Sequence, residues 1–249
     1  MKDFDYTNFY DKIGKINGWD FSQLRVSADK AAWEFTAEVS RRCNKDDFLL
    51  DIGTGSGETL LKIAPFVQIA VGIDLSIEMI QSAKENLRGS TQTNTRFAQM
   101  SSKALSFPKH FFDIVVSRHA PFNSAEVEKV LKSDGIFITQ QVSEDDKLNI
   151  KRSFGRGQTY NLQDGTLKEK YRRELIDAGF SKVEIYDDNV LEYYERPEDL
   201  LFLLQHTPII PNFGQEENDY RLWNIFIEKN QTSKGICTNS KRFLIVAIK

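Results

Sequence analysis

The chain has 249 residues, 40% hydrophobic and 28% charged, which is enough apolar material for one full core and too little length for two ordinary domains. Its formal net charge of −3 gives no global field toward nucleic acid or an anionic membrane, so the expected substrate is a small molecule or a protein. Two distant cysteines, Cys43 and Cys237, and three scattered histidines argue against a disulfide framework and against a metal site, and no metal ligand is assigned.

Met1 to Tyr6 lacks an apolar signal core, and no apolar run approaches the ~20 residues of a membrane span, so a cytoplasmic protein is expected. Oligomeric state is not read from the sequence. Residues 1–22 are rich in aromatics (Tyr6, Phe9, Tyr10, Trp19, Phe21), too apolar for a mere tail. A helix with a Ser27 cap is expected from there to about Cys43.

Leu49-Leu50-Asp51-Ile52-Gly53-Thr54-Gly55-Ser56-Gly57-Glu58 is an apolar strand running into glycines at alternate positions. Such a turn lets backbone approach a nucleoside closely, and the helix expected from Thr59 points its first N–H groups back at the turn. A dinucleotide fingerprint requires Gly-x-Gly-x-x-Gly with a pyrophosphate at the helix start. Here Glu58 occupies the last position; its carboxylate repels a pyrophosphate and tolerates a cationic ligand. Val67 to Asp74 reads as a second buried strand ending in an acid placed for a ribose diol, with Leu75 against an adenine face and a Ser76 helix cap.

With strand, glycine triplet and spaced acid in this order, the chain resembles the class I S-adenosylmethionine-dependent methyltransferases. Asp51 to Glu58 match the first motif of that family and Gly72 to Ser76 the second. The resemblance spans roughly Phe48 to Val142, with a weaker frame to the last strand. It implies a doubly wound, mostly parallel seven-stranded α/β sheet, an N-terminal helical lid over the cofactor, and S-adenosylmethionine as cofactor. The cofactor-binding residues it implies are Asp51, Gly53, Thr54, Gly55, Ser56, Gly57, Asp74, Leu75, Ser101, Ser102, Ser117 and Arg118. Where the family carries a Gly-Asp-Ala-like turn, this chain has Met100-Ser101-Ser102, followed by Leu105-Ser106-Phe107-Pro108. The adenine-contacting carboxylate is thereby replaced by a hydroxyl, a bond of about 1 kcal/mol in place of roughly 1.5–3. Phe111 to His119 resembles the fourth strand and its substrate-facing loop, and Leu131 to Thr139 the turn into the fifth.

Residues 143–163 read as a polar connection, 166–178 as a helix ended by Gly179, and Lys182 to Tyr186 as a half-buried strand. A short helix from Pro197, an apolar loop over 207–213 and a helix over about 215–229 are expected to form a small helical cap before the last strand, Phe243 to Ile248. The whole reads as one domain over 1–249: lid and first helix to 44, cofactor-binding core over 45–142, and the rest of the sheet with its cap at about 197–230.

Methyl transfer from a sulfonium needs mostly alignment and water exclusion, so the absence of a catalytic triad carries no weight. His119 is the candidate general base; its alternative is a hydrogen bond to a loop carbonyl. Arg118 suits a substrate carboxylate or phosphate, or a surface ion pair. Gln140 and Gln141 reach the pocket or bridge loops. Tyr6, Tyr10 and Trp19 either close over the sulfonium or pack as core. Lys147, Lys151, Arg152 and Arg156 read as solvated loop charge, with an acidic-substrate or RNA contact as the alternative, Trp223 and Phe226 as core rather than pocket, and both cysteines as inert thiols. The rival readings are an NAD(P)-dependent oxidoreductase, against which Glu58 and the glycine spacing speak, and a non-catalytic module that keeps the cofactor fold.

Overall fold

The computed structural model describes residues 24–249, so the aromatic segment holding Tyr6, Tyr10 and Trp19 lies outside the described residues. The first strand, β1, is Val26–Ala28, and the first helix, α1, is Phe35–Ser40. The expected helix start at Ser27 is therefore corrected. Residues 26–28 pair antiparallel with Tyr194, Tyr193 and Glu192, and the Glu34 carboxylate caps α1 instead by accepting from the Thr36 and Ala37 amides.

Strands and helices then alternate: β2 (Phe48–Ile52), α2 (Glu58–Ile63), β3 (Ile69–Asp74), α3 (Ile77–Arg88), β4 (Thr95–Gln99), β5 (Phe112–Arg118), α4 (Ser124–Val130) and β6 (Leu131–Val142). Two helices, α5 (Leu148–Phe154) and α6 (Thr166–Asp177), lead to β7 (Lys182–Tyr194). The chain closes with α7 (Pro197–His206), α8 (Asp219–Asn230), β8 (Gln231–Thr232) and β9 (Gly235–Ile248).

The strands lie in the order β1-β7-β9-β6-β5-β2-β3-β4, with β8 paired to β9. Contacts among β2 to β6 are parallel, and β9 runs antiparallel between β6 and β7. Seven of these strands make the expected doubly wound sheet; β1 and β8 extend it. Chain order reverses at β2, so the edge beyond its carboxyl end is the switch point where ligands of such sheets bind.

Period-two alternation divides the strand residues between two cores. Leu50, Ile52, Val115, Phe137 and Ile245 face α4 and α6, while Leu49, Ile114, Val116, Ile138, Leu244 and Val246 face α1, α2 and α3. The helix α6 stops at Gly179, whose φ of +104° lets the Gly179 and Phe180 amides reach Ile176 and Leu175 carbonyls.

Residues 143–163 are not the simple polar connection expected, because Ile150 and Phe154, one helical turn apart, bury into a third core with Tyr194, Leu200, Leu204, Ile210, Phe226 and Ile236. Among the neighbouring basic residues Arg152 is exposed, as expected, but Lys151 and Arg156 are not solvated. Lys151 is buried and donates to the Glu144 carbonyl at 2.9 Å, and Arg156 pairs with buried Asp219 at 2.7 Å. Phe226 is core as expected, with Trp223 packed against it. Cys43 is a free thiol, and burial pushes it up to about 12.

Candidate functional site

The glycine turn after β2 is built on left-handed backbone: Gly53, Gly55 and Gly57 have φ of +72°, +56° and +85°. An L side chain pays about 1–2 kcal/mol in that region, so the composition follows from the path of the chain. A Cβ at Gly53 would fall 2.2 Å from Ala120 Cβ, and one at Gly57 would fall 2.6 Å from the Phe97 ring. At these two positions the missing side chain makes room for the protein's own residues. The Gly53 and Thr54 amides both donate to the Ile73 carbonyl, which anchors the turn on β3.

Asp74, the last residue of β3, accepts from the Gly55 amide at 3.0 Å and the Ser76 amide at 2.9 Å. The expected cap holds, since Ser76 Oγ accepts from the Met79 amide. Leu75 is 54% exposed beside this carboxylate, the position expected for an adenine face. The hydroxyl of Ser56 donates to the Glu58 carboxylate at 2.8 Å, and Asn86 donates to the Ser56 carbonyl. On the far side of Asp74, the Met100 amide donates to the Asp74 carbonyl, and half-buried Ser101 and Ser102 follow. The Ser101 hydroxyl accepts from the Lys103 amide at 3.2 Å, forming a local turn.

Asp51 is 3% exposed. Burial pushes its carboxyl up to about 7, against the pull of the Thr54 hydroxyl, and the Asp74 charge adds to the rise while Arg118 opposes it. Ser117 is buried and donates to the Ala120 carbonyl at 3.1 Å, so its hydroxyl shapes the loop. The Arg118 guanidinium reaches back to Thr59 Oγ1 at 3.3 Å.

His119 follows at φ +56° and is held to β6, its amide donating to the Gln140 carbonyl at 2.8 Å. Its ring state follows from a chain of bonds. Trp33 Nε1, a donor only, gives its proton to Gln140 Oε1 at 2.9 Å, which leaves Gln140 Nε2 to donate to His119 Nε2 at 3.0 Å. The imidazole proton therefore sits on Nδ1. Burial, with the Arg242 and Arg118 charges, pulls His119 well below the usual histidine range, so the ring is neutral near pH 7. Gln141 bridges Ala120 and Thr139.

Sequence reading missed the charged group at this edge. Lys147 is 2% exposed and donates to Glu192 at 2.6 Å; Tyr194 donates to the same carboxylate at 3.2 Å, and Arg242 approaches it to 3.9 Å. Burial alone would raise the Glu192 carboxyl, but Lys147 and then Arg242 hold it down at about 2. One signal was available: Lys241-Arg242 precedes the last apolar run, and an antiparallel last strand brings its early residues to the ligand edge of its parallel neighbours.

Residues 49–135 match a protein-family model described as a methyltransferase domain. An uncharacterized Bacillus subtilis methyltransferase, YcgJ, is 36% identical over 103 residues, covering 39% of this chain and 41% of the relative. The crystal structure of that protein superposes with a TM-score of 0.61 at 24% identity, over 86% of this chain and 97% of the other. Over this segment the chain is similar to methyltransferases.

The methyltransferase match runs from β2 to the turn within β6, taking in the glycine turn, Asp74, Ser101 and His119 but neither Glu192 nor Arg242. A malonyl-[acyl-carrier protein] O-methyltransferase of Geobacter sulfurreducens is 28% identical over 167 residues, 59% of this chain and 60% of the relative. The matches cover only about two fifths to three fifths of the length of such curated relatives. A Haemonchus contortus phosphoethanolamine N-methyltransferase, solved with S-adenosylhomocysteine and phosphomonomethylethanolamine, shares the fold with a TM-score of 0.53 at 19% identity, over 88% of this chain and 53% of the other. Among the described residues no helix is long and apolar enough to cross a membrane, and no three His, Cys, Asp or Glu side chains gather in a metal-binding group.

Proposed function

We propose that this protein is a class I methyltransferase that uses S-adenosylmethionine to methylate a small-molecule acceptor in the cytoplasm. The observation that carries the reading is the bond from the Gly55 amide to Asp74, which joins the glycine turn and the ribose acid into one site at the switch point.

The residues present suit that cofactor. Asp51 is a buried carboxyl raised to about 7, with no cation in ion-pairing range among the described residues, and a ligand carrying an ammonium and a sulfonium relieves this. Asp74 receives the ribose hydroxyls, Leu75 lies against the adenine, and Ser101 and Ser102 edge it. Bound there, the cofactor supplies a methyl group already activated on sulfur.

The chain's own work is then positioning. Because Gln140 donates to Nε2, His119 meets an acceptor as a neutral Nδ1–H donor; taking a proton from the acceptor first requires Gln140 to release that nitrogen. The β5–α4 turn, fixed by the Ser117 and Gln141 bonds to Ala120, sets the wall on which the acceptor rests.

A calorimetric panel of S-adenosylhomocysteine, NAD and NADP tests the reading. Micromolar binding of S-adenosylhomocysteine with none of the dinucleotides is expected; dinucleotide binding alone would return the protein to the oxidoreductases, and no binding at millimolar concentration to a non-catalytic role.

A further inference from the structure

Among the described residues, two guanidinium groups at the ligand edge hydrogen-bond to no carboxylate. The hydrogen bond that the Arg118 guanidinium makes among the described residues is to Thr59 Oγ1, a neutral partner at 3.3 Å. Arg242 faces Glu192 only at 3.9 Å, because Lys147 at 2.6 Å and Tyr194 at 3.2 Å already hold that carboxylate. Its register partner on β7, Asp188, turns its carboxylate to the Ala32 amide. The Arg242 Nε atom is buried and has no hydrogen-bond partner among the described residues. A buried donor on a charged group left this way is costly, and an anion is what satisfies it.

The two arginines share a sheet face. Arg118 is registered with Gln140 on β6, Gln140 with Leu244 on β9, and Arg242 lies two residues along β9 from Leu244. His119, bonded to Gln140 on the intervening strand and with its proton on Nδ1, is a further donor.

Lateral position separates acceptor from cofactor. From β2, the strand that carries the glycine turn, β9 is three strands away, about 14 Å at ~4.8 Å per strand. Arg118, one strand away, borders both compartments, and Arg242 belongs to the far one.

Resting on the methyltransferase reading above, we propose that the acceptor is an oxyanion-bearing small molecule whose carboxylate or phosphate group is held between Arg242 and Arg118 beside His119. The cofactor carries a carboxylate of its own, and the position of Arg242 assigns this subsite to the acceptor.

The test titrates the full chain, saturated with S-adenosylhomocysteine, with malonate and with inorganic phosphate by calorimetry. Saturable binding of at least one anion is expected, with the preferred one giving the headgroup, and Arg242→Gln should weaken it about ten- to a hundredfold. Arg242→Gln should leave S-adenosylhomocysteine affinity within about twofold. Anion titration of the wild-type chain needs no variant to fold: absence of saturable binding by either probe overturns the proposal. So does competition between the anions and S-adenosylhomocysteine, which would assign the arginines to the cofactor. If S-adenosylhomocysteine itself fails to bind, the cofactor reading falls, and loss of anion binding in Arg242→Gln still establishes the oxyanion site.

Discussion

The Asp74 carboxylate accepts the Gly55 amide proton at 3.0 Å, so the end of β3 and the turn after β2 are held as one unit. Asp74→Ala removes both the proposed ribose acceptor and this tie. S-adenosylhomocysteine affinity should fall about tenfold to a hundredfold, from the ~1.5–3 kcal/mol of charge-assisted bonds. Unchanged calorimetric affinity in the folded variant would take Asp74 out of the site.

Gly53→Ala should destabilise the fold by about 2–5 kcal/mol, the sum of left-handed strain and the clash with Ala120 Cβ at 2.2 Å. The double variant with Ala120→Gly relieves the clash and keeps the strain, so it should recover only part of the loss in urea unfolding. Full recovery would show that φ at residue 53 relaxes without penalty.

Asp51 gives a pH signature of opposite sign to a salt-bridged acid. Its folded-state carboxyl titrates at about 7 against 3.8 when unfolded, so the apo protein should lose stability as pH rises between these values. A cationic ligand favours the ionised form, so S-adenosylhomocysteine should bind more tightly as pH rises toward 7, with protons released on binding. Calorimetry in buffers of different ionisation enthalpy reads that release, and Asp51→Asn should abolish it.

Glu192 behaves in the ordinary way. With a folded-state value of about 2 against 4.5 unfolded, its contribution is fully present above pH 4.5 and is lost as pH falls toward 2, on the order of 3 kcal/mol. Glu192→Gln also strands buried Lys147, at a cost of about 3–5 kcal/mol at neutral pH, and chemical denaturation at pH 7 and pH 3 should show the variant less sensitive to acid.

The parallel half of the fold was legible because its signals are local: Leu49 to Ile52 are apolar, Gly53 to Gly57 force a turn, and Ser76 caps the next helix. Elements set by distant partners were not. Val26–Ala28 is a strand only because β7 continues to Tyr194, and nothing near Ser27 announces that. Lys147 and Lys151 look like solvated charge until Glu192 and the Glu144 carbonyl, brought by the fold, enclose them. Arg242 was missed for the same reason, since its placement depends on the direction of β9 rather than on its own neighbours.

The Phe97 ring lies under both Gly57 and Gly72, within 2.6 Å and 2.7 Å of where their Cβ atoms would stand. One volume is thus divided among three chain positions on three different elements. Any lineage that gains a side chain at 57 or 72 must first shrink residue 97, so substitutions there should arise as ordered pairs, and the glycine spacing of the turn is kept in part by a ring on another strand.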